Sequence, residues 1–273
     1  MIEYNNIMWN NYHGALIPRV APHTEISLTD KQANELLSKS NAYLIRYTNE
    51  WDRGDGEFWY LIKDNFGGLE ELKTKYRTQI RKGLKNCIVT RVRKEKIAEN
   101  GYEVYKSAFD NYTTILTPMA EDVFKSGILH SDYDHWAVYT KEGNRLIAYS
   151  QVTIIDNICK TTVAKFDPAY LRLRPSEALF YTINRYYLAE KNFLYVNNGA
   201  RSISHDTNIQ HFLEQKLNFR KSYCKLNIYY RKDIRLIVNT LYPFRYLIWR
   251  TKGNILSKLS AILKQENIRR SSN

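Results

Sequence analysis

The chain has 273 residues, and because 44% of them are hydrophobic and 25% are charged, its composition excludes an intrinsically disordered protein. It has 41 lysines and arginines against 28 acidic residues, which gives a formal charge of +13. This charge predicts an anionic partner such as a phosphate-bearing cofactor, a nucleic acid or an anionic membrane surface. The alternative is a basic composition that serves no dedicated partner. It has no run of about 18 apolar residues and no secretory signal, so we expect a cytoplasmic protein.

The first predicted region, residues 1–134, is an α/β elaboration at the N terminus. Its helices open on good capping residues, and its strands are rich in apolar and aromatic residues. In chain order the predicted elements are a helix over 29–39, strands over 42–47 and 57–62, a basic helix over 69–85, and helices over 101–112 and 118–129. The three cysteines of the whole chain, Cys87, Cys159 and Cys224, lack the spacing of a disulfide framework, and we expect reduced thiols.

The second predicted region, residues 135–231, begins with three β-rich runs separated by turn residues. The runs cover 135–140, 145–155 and 158–166, which predicts an antiparallel meander.

A helix follows the meander, because Pro175, Ser176 and Glu177 are typical of a helix start. It reaches about Lys191, with apolar residues on one face: Leu179, Ile183 and Tyr187. A strand over 193–197, a helix over 206–217 and a strand over 222–231 complete the order β-β-β-α-β-α-β.

This order, together with the segment FLEQKLNF (212–219), resembles the GNAT superfamily of acyltransferases over residues 135–231. Lys216 and Phe219 match the superfamily's K-x-G-F ending, and Asn218 replaces its glycine. The basic R-x-x-I-R-K segment (77–82) is similar to the Fem-type branch, whose members transfer aminoacyl groups to cell-wall precursors. The resemblance implies an α/β fold in which a mixed, mostly antiparallel sheet is flanked by helices.

The resemblance also implies a binding site for an acyl-CoA co-substrate. The backbone of the fourth strand, at Val163, Ala164 and Lys165, is expected to hold the carrier. The superfamily's glycine-rich phosphate turn falls on residues 172–177, where Arg172, Arg174 and Ser176 are the expected contacts and both glycines are missing. The tyrosine that many relatives use to protonate the leaving thiolate aligns with Glu214, which is either the acid or a solvated helix residue.

The acceptor site is predicted in the polar loop over 195–208, because ligands of open α/β sheets bind beyond the carboxyl ends of the strands. Its candidate substrate contacts are Asn197, Asn198, Arg201 and Ser202. A histidine side chain suits proton transfer at neutral pH, so His205 acts as a general base or binds the acceptor, or else it caps the following helix with Asp206. Arg201 clamps a phosphate or carboxylate, or it ties the loop together. Histidines and cysteines lack ligand spacing, so no metal site is predicted.

The third predicted region, the tail over 232–273, is basic and amphipathic. Over 254–264 the apolar residues share one helical face, with Lys258 and Lys264 outside it: Ile255, Leu256, Leu259, Ile262 and Leu263. The tail lies on the inner face of an anionic membrane as a peripheral anchor, or it packs on its own domain or on a second protomer in a homodimer.

The predicted function is an N-acyltransferase, in which the amine of a small molecule or cell-envelope precursor directly attacks the acyl group of acyl-CoA. One alternative is a Fem-type transferase that uses aminoacyl-tRNA, with the basic helix 69–85 on RNA phosphates. Another is a non-catalytic GNAT-like module that binds nucleic acid or membrane.

Overall fold

The computed structural model describes residues 1–112, 117–203, 208–249 and 254–271, the side chains of 254–258 excepted. The chain divides into two compact units. Unit 1 comprises the described residues of Met1–Tyr60, Ala200–Thr207 and Lys221–Asn273, and unit 2 comprises those of Leu61–Gly199 and Asn208–Arg220.

The secondary structure is mixed α/β. The strands are β1 (Ile2–Tyr4), β2 (Ile7–Tyr12), β3 (Ala15–Pro18), β4 (Leu44–Arg53), β5 (Phe58–Lys63), β6 (Cys87–Val92), β7 (Asp134–Thr140), β8 (Leu146–Ile155), β9 (Ile158–Phe166), β10 (Tyr195–Ala200) and β11 (Arg220–Tyr230). The α-helices are α1 (Asp30–Ser38), α2 (Thr74–Asn86), α3 (Lys94–Asn100), α4 (Tyr102–Phe109), α5 (Glu121–Leu129), α6 (Pro175–Asn184), α7 (Asn208–Leu217), α8 (Lys232–Leu241), α9 (Arg245–Ile248) and α10 (Asn254–Ser271).

Unit 1 is built on a sheet in which β1, β2 and β3 form consecutive antiparallel hairpins, β3 pairs with β4 in parallel, and β4 pairs with β11 antiparallel. The first two hairpins were not predicted from the sequence. Asn5 and Asn6, and then His13 and Gly14, all have positive φ angles, which suits the two-residue turns that join twisted strands. These two short pairs of turn residues were the local signal in the sequence for the hairpins.

Helix α1 closes one face of the unit 1 sheet. It begins at Asp30 because the Thr29 side chain accepts a hydrogen bond from the Gln32 backbone, while the Gln32 side chain accepts one from the Thr29 backbone. Its apolar face packs into a core with Trp9, Leu16 and Ile45. The predicted helix over 29–39 is therefore confirmed.

Unit 2 contains the predicted meander. Strands β6, β7, β8 and β9 pair in antiparallel order, and β10 pairs with β9 in parallel. Helices α3, α4 and α5 bury Ile97, Tyr105 and Phe124 against Tyr149 of β8. Strand β6 was not predicted, because it follows α2 directly and its exposed positions do not alternate cleanly with buried ones: Ile88, Thr90 and Arg91 are all exposed.

Helix α6 begins at Pro175 as predicted, and Leu179, Ile183 and Tyr187 are all buried. The helix does not continue as an α-helix to Lys191. From Arg185 to Glu190 the backbone adopts a π-helix instead, a rare arrangement that inserts an extra residue per turn.

Helix α2 packs on α6 through Gly83. A Cβ at Gly83 would lie 2.5 Å from the Arg174 carbonyl oxygen and 3.1 Å from the Ala178 Cβ. We expect Gly83→Ala to lower the free energy of unfolding by about 1–3 kcal/mol, since a backbone atom cannot move aside as a side-chain tip can. Urea denaturation measures the change. Gly127→Ala in α5 is the control, because nothing lies within 4 Å of its Cβ and alanine favours a helix; an equal loss in both variants would contradict the packing argument.

Candidate active site

Strands β9 and β10 part at one point in unit 2. Their parallel register runs from Tyr195 opposite Ile158 to Asn197 opposite Lys160 and ends there, although β9 continues to Phe166. We call this point the fork. Backbone groups of β9 beyond the fork lack a β10 partner in this register, so they are available to a ligand that lies between the strands.

The fork is held by side chains of both strands. The Thr161 hydroxyl donates to the Asn197 carbonyl oxygen at 3.2 Å and accepts from the Asn198 Nδ2 at 2.7 Å. The Asn197 Oδ1 accepts from the backbone N–H of Gly199 at 2.7 Å, and Gly199 has a positive φ angle. Asn197 and Asn198, which were predicted to contact the substrate, therefore both lie at the fork. The hydrogen bonds that they make fix the geometry of the fork.

Two hydrogen-bond donors at the fork have no partner among the described residues. Asn197 is only 1% exposed, and its Nδ2 makes no hydrogen bond. Lys160 is half-buried and makes no ion pair within the described part of the chain, and burial lowers the pKa of its ammonium group. Because the two residues are in register on neighbouring strands, their side chains leave the sheet on the same face. An unsatisfied buried donor is costly, so the Asn197 Nδ2 is suited to a ligand atom that accepts from it, with the Lys160 side chain beside that atom.

Lys160 was not among the residues proposed from the sequence. The signal available was a lysine inside an otherwise apolar or threonine-rich strand, directly before the segment predicted to bind the carrier. Only the register of β9 against β10 shows that Lys160 is opposite Asn197, which is 37 positions further along the chain.

The predicted carrier-binding segment lies just beyond the fork. Val163, Ala164 and Lys165 pair with β8 on one side, where the Ser150 hydroxyl donates to the Val163 carbonyl oxygen at 2.7 Å. The Lys165 ammonium donates to the Tyr112 hydroxyl at 2.9 Å and lies 4.7 Å from the centre of its ring. The segment is thus placed beside the opening, while its role in holding a carrier stays a prediction.

The predicted phosphate turn contains a buried carboxylate. Glu177, 2% exposed, accepts hydrogen bonds from Lys216 Nζ at 2.8 Å, from the Ser176 hydroxyl at 2.8 Å and from Arg174 Nη1 at 3.3 Å. Burial acts to raise the pKa of Glu177, but the hydrogen bonds from Lys216 and Ser176 outweigh it and hold the pKa below its usual range. Glu177 is therefore an anion in the first turn of α6.

This carboxylate changes what the turn can bind. Arg174 is in the left-handed conformation at the N-cap of α6, with φ of 66°, and its guanidinium is directed to Glu177. Pro175 has no backbone N–H to offer. Of the three predicted phosphate contacts, Arg174 and Ser176 are bound to Glu177, and Arg172 is exposed.

The remaining predicted site residues lie elsewhere. Glu214 is half-buried on α7 in unit 2. Arg201 and Ser202 belong to unit 1, where the Arg201 guanidinium donates to the carboxylate of Glu57 at 2.7 Å. His205 lies outside the described residues. The assignments of these four residues to catalysis or substrate binding stay predictions.

The three cysteines are free and buried, and burial raises the pKa of the Cys87 thiol to about 11 and that of Cys224 to about 12. A buried thiol with a raised pKa is a poor nucleophile. Among the described residues, no group of three histidines, cysteines or carboxylates could hold a metal ion.

A basic surface lies on α2, next to the turn. Three lysines of α2 are exposed and make no ion pair with any described residue: Lys75, Lys82 and Lys85. Arg77 and Arg81 instead pair with Glu70. Because Gly83 contacts the backbone of Arg174, this lysine surface is adjacent to the turn before α6.

Unit 1 has a cavity of about 60 Å³ lined in part by Arg46, Thr48, Phe58 and Tyr60. It contains none of the site residues predicted from the sequence. We place the candidate active site at the fork instead, because the fork has both an open strand edge and unsatisfied donors, whereas Arg46 in the cavity is already bound to Gln265 at 2.9 Å.

Comparison with known proteins identifies the fold. No protein-family model matches the chain, and no curated protein sequence matches it. The structure is similar to FemX, with a TM-score of 0.56 and 10% identity over 74% of this chain and 76% of that one. It is also similar to the C-terminal domain of a putative lysylphosphatidylglycerol synthetase from Agrobacterium fabrum, with a TM-score of 0.53 and 12% identity over 86% of this chain and 84% of that one.

A third similar structure is L-PGS from Bacillus licheniformis, with a TM-score of 0.52 and 12% identity over 97% of this chain and 86% of that one. At these identities the likeness establishes a shared fold. The prediction of a GNAT-like α/β fold with similarity to the Fem-type branch is confirmed, including its mixed, mostly antiparallel sheet flanked by helices.

Proposed function

We propose that the chain transfers an aminoacyl group from an aminoacyl-tRNA to an amine acceptor at the fork. The observation that carries this proposal is the unpartnered Asn197 Nδ2, which is buried beside an open strand edge with the Lys160 side chain opposite it in register. An acyl transfer needs donors directed at the oxygen that becomes negative in the transition state, and such groups are most effective when they are fixed in advance. Asn197 is fixed by its bond to Gly199.

The reaction follows from these groups. The nitrogen of the acceptor amine attacks the ester carbonyl carbon, a C–N bond forms, and the carbonyl oxygen becomes an oxyanion that accepts from Asn197 Nδ2. The intermediate collapses with cleavage of the C–O bond to the ribose. Lys160, whose pKa burial lowers, takes the proton that the attacking nitrogen loses and returns it to the leaving ribose oxygen. No covalent enzyme intermediate is needed.

The turn before α6 favours an aminoacyl ester over a CoA thioester as the donor. A pyrophosphate at this turn would meet the Glu177 carboxylate, and Arg174 and Ser176 would have to leave Glu177 to reach it. Like charges at close range repel strongly where water is excluded. An aminoacyl-tRNA puts no pyrophosphate there, and its phosphates suit the lysine surface of α2.

Acyl-CoA is the second candidate donor. Arg172 is exposed at the turn, and the open edge of β9 at Val163, Ala164 and Lys165 offers backbone groups to a pantetheine arm. Calorimetry with acetyl-CoA and longer acyl-CoAs tests this donor directly. Saturable binding that is lost in an Arg172→Ala variant would support acyl-CoA and overturn the aminoacyl-tRNA proposal.

The proposal predicts salt-dependent RNA binding through α2. Changing Lys75, Lys82 and Lys85 together to glutamine should weaken tRNA binding and lower the slope of log affinity against log salt by about two, since each phosphate contact contributes roughly 0.7–0.9. Filter binding over a salt series measures this slope. A matched control changes three exposed lysines elsewhere, Lys31, Lys106 and Lys141, and should leave the slope unchanged.

Turnover is tested by incubating labelled aminoacyl-tRNA with the protein and a panel of free amines, amino sugars and lysyl peptides. We expect the label to move to an amine. Tight tRNA binding without transfer to any amine, and no turnover with acyl-CoA, would instead support a non-catalytic module that binds nucleic acid.

A further inference from the structure

Helix α10, the part of the tail whose sequence suggests a membrane anchor, packs inside unit 1. Leu263 is fully buried and Ile268 joins a core cluster with Leu44, Phe58 and Leu226. The buried carboxylate of Glu266 also fixes this helix. The sequence left open whether the tail binds a membrane, packs on its own domain or packs on a second protomer. The described part of α10 packs on its own domain.

Glu266 of α10 is buried and accepts from Arg269, Arg270 and the Tyr230 hydroxyl, at 2.7 to 3.0 Å. Two of the basic residues that make the tail positive are thus paired inside the unit. The exposed part of the tail lies on α8 and α9.

An exposed apolar surface lies on α8, α9 and the short turn between them. We call this the α8–α9 surface. It consists of five large apolar residues within twelve consecutive positions, each of them between 46% and 70% exposed: Leu236 (70% exposed), Ile237 (46%), Phe244 (56%), Tyr246 (58%) and Leu247 (65%). Such a concentration on a surface is unusual and marks a contact site.

The charge around this surface is positive. Lys232 and Arg235 are exposed on α8, and neither makes an ion pair with a described residue. Arg245 lies between the rings of Tyr242 and Tyr246, at 4.2 and 4.3 Å from their centres. Asp233 is bound by Arg231 at 2.7 Å, and it is the sole acidic residue between 232 and 249.

We propose that the α8–α9 surface docks unit 1 on an anionic lipid bilayer. Exposed leucine and aromatic side chains enter the boundary between headgroups and acyl chains, while neighbouring lysine and arginine side chains bind anionic headgroups. A second copy of the chain is a poorer occupant, because a twofold contact would bring Lys232 and Arg235 of one copy close to the same residues of the other. Among the described residues, no helix is both long and apolar enough to cross a bilayer.

Vesicle co-sedimentation tests the proposal with the full chain and without any acyl donor, so its outcome does not depend on the proposed reaction. We expect binding to phosphatidylglycerol-containing vesicles and at least a tenfold weaker binding to pure phosphatidylcholine vesicles. Replacing Leu236, Phe244 and Leu247 together by serine should reduce binding to the first vesicles at least tenfold, and Lys232→Gln with Arg235→Gln should reduce mainly its salt-sensitive part.

The matched control replaces three exposed apolar residues of unit 2, Val123, Leu129 and Leu194, by serine. It should bind vesicles as the unchanged chain does. Circular dichroism and thermal unfolding confirm that each variant is folded. Equal binding by the α8–α9 variant and the unchanged chain would overturn the proposal, as would a dimer on size-exclusion chromatography that becomes a monomer in this variant.

Discussion

Asn197→Asp should reduce the rate of acyl transfer by about 10²–10³-fold, the usual cost of removing one oxyanion donor. Aspartate has nearly the same shape and keeps the oxygen that accepts from the Gly199 backbone, so the geometry of the fork should be preserved. It replaces the free Nδ2 donor by an acceptor that carries a negative charge. The rate constant is measured by single-turnover transfer of labelled aminoacyl groups, with the folded state checked by thermal unfolding.

Two further variants separate catalysis from structure. Lys160→Met should reduce the rate and remove the rise of the rate with pH that follows deprotonation of the Lys160 amine, whereas tRNA binding should be unaffected. Thr161→Val removes the hydroxyl that joins Asn197 and Asn198 and is expected to lower stability more than it lowers the chemical step. A full rate in Asn197→Asp would show that the oxyanion does not lie at the fork.

Lys216→Met should lower the free energy of unfolding by an amount on the order of 3 kcal/mol, because it leaves a buried carboxylate with fewer donors. Glu177 is 2% exposed and Lys216 20% exposed in their side chains, so solvent screens this pair only weakly. Chemical denaturation at pH 7 measures the loss. Lys125→Met is the matched control: its pair with Glu121 is of similar length, at 2.7 Å against 2.8 Å, but it is exposed, and its loss should change stability very little.

The pH dependence of this loss has a defined sign. The pKa of Glu177 is lower in the folded state than in the unfolded chain, so its contribution is fully present above the unfolded value and is lost as the pH falls through the folded value. In Lys216→Met the folded pKa rises towards or above the unfolded value, so less stability should be lost on acidification and the difference from the unchanged chain should narrow as the pH falls. If Glu177→Gln in the Lys216→Met background restores no stability, the buried charge is not the cause.

Much of the secondary structure follows from local sequence. The meander over β7, β8 and β9 was predicted because alternating apolar runs are separated by residues suited to turns, and Asp156 does adopt a positive φ angle between β8 and β9. The start of α6 was predicted from Pro175. Where local signals were short, as at Asn5 and Asn6, the prediction missed the strands on either side.

The candidate site was predicted only in outline. Its segment, strand β9 followed by the turn and then β10, was located correctly along the chain. Which side chains meet there depends on register, because a shift of one residue would exchange the faces of the sheet and separate Lys160 from Asn197. The prediction for Lys165 concerned its backbone and stays a prediction, while the structure places its side chain against Tyr112.

The sequence by itself determined the α/β class, the order of the elements from β7 to β11 and the strong positive charge, since these depend on composition and on patterns within a few residues. Tertiary structure alone decided that Glu177 would pair with Lys216, 39 residues away, that α10 would be buried while α8 and α9 stayed exposed, and that the Asn197 Nδ2 would remain without a partner at the fork. Each of these depends on contacts between residues far apart in the chain, and burial, which sets the cost of an unpaired charge or donor, exists only once those contacts have formed.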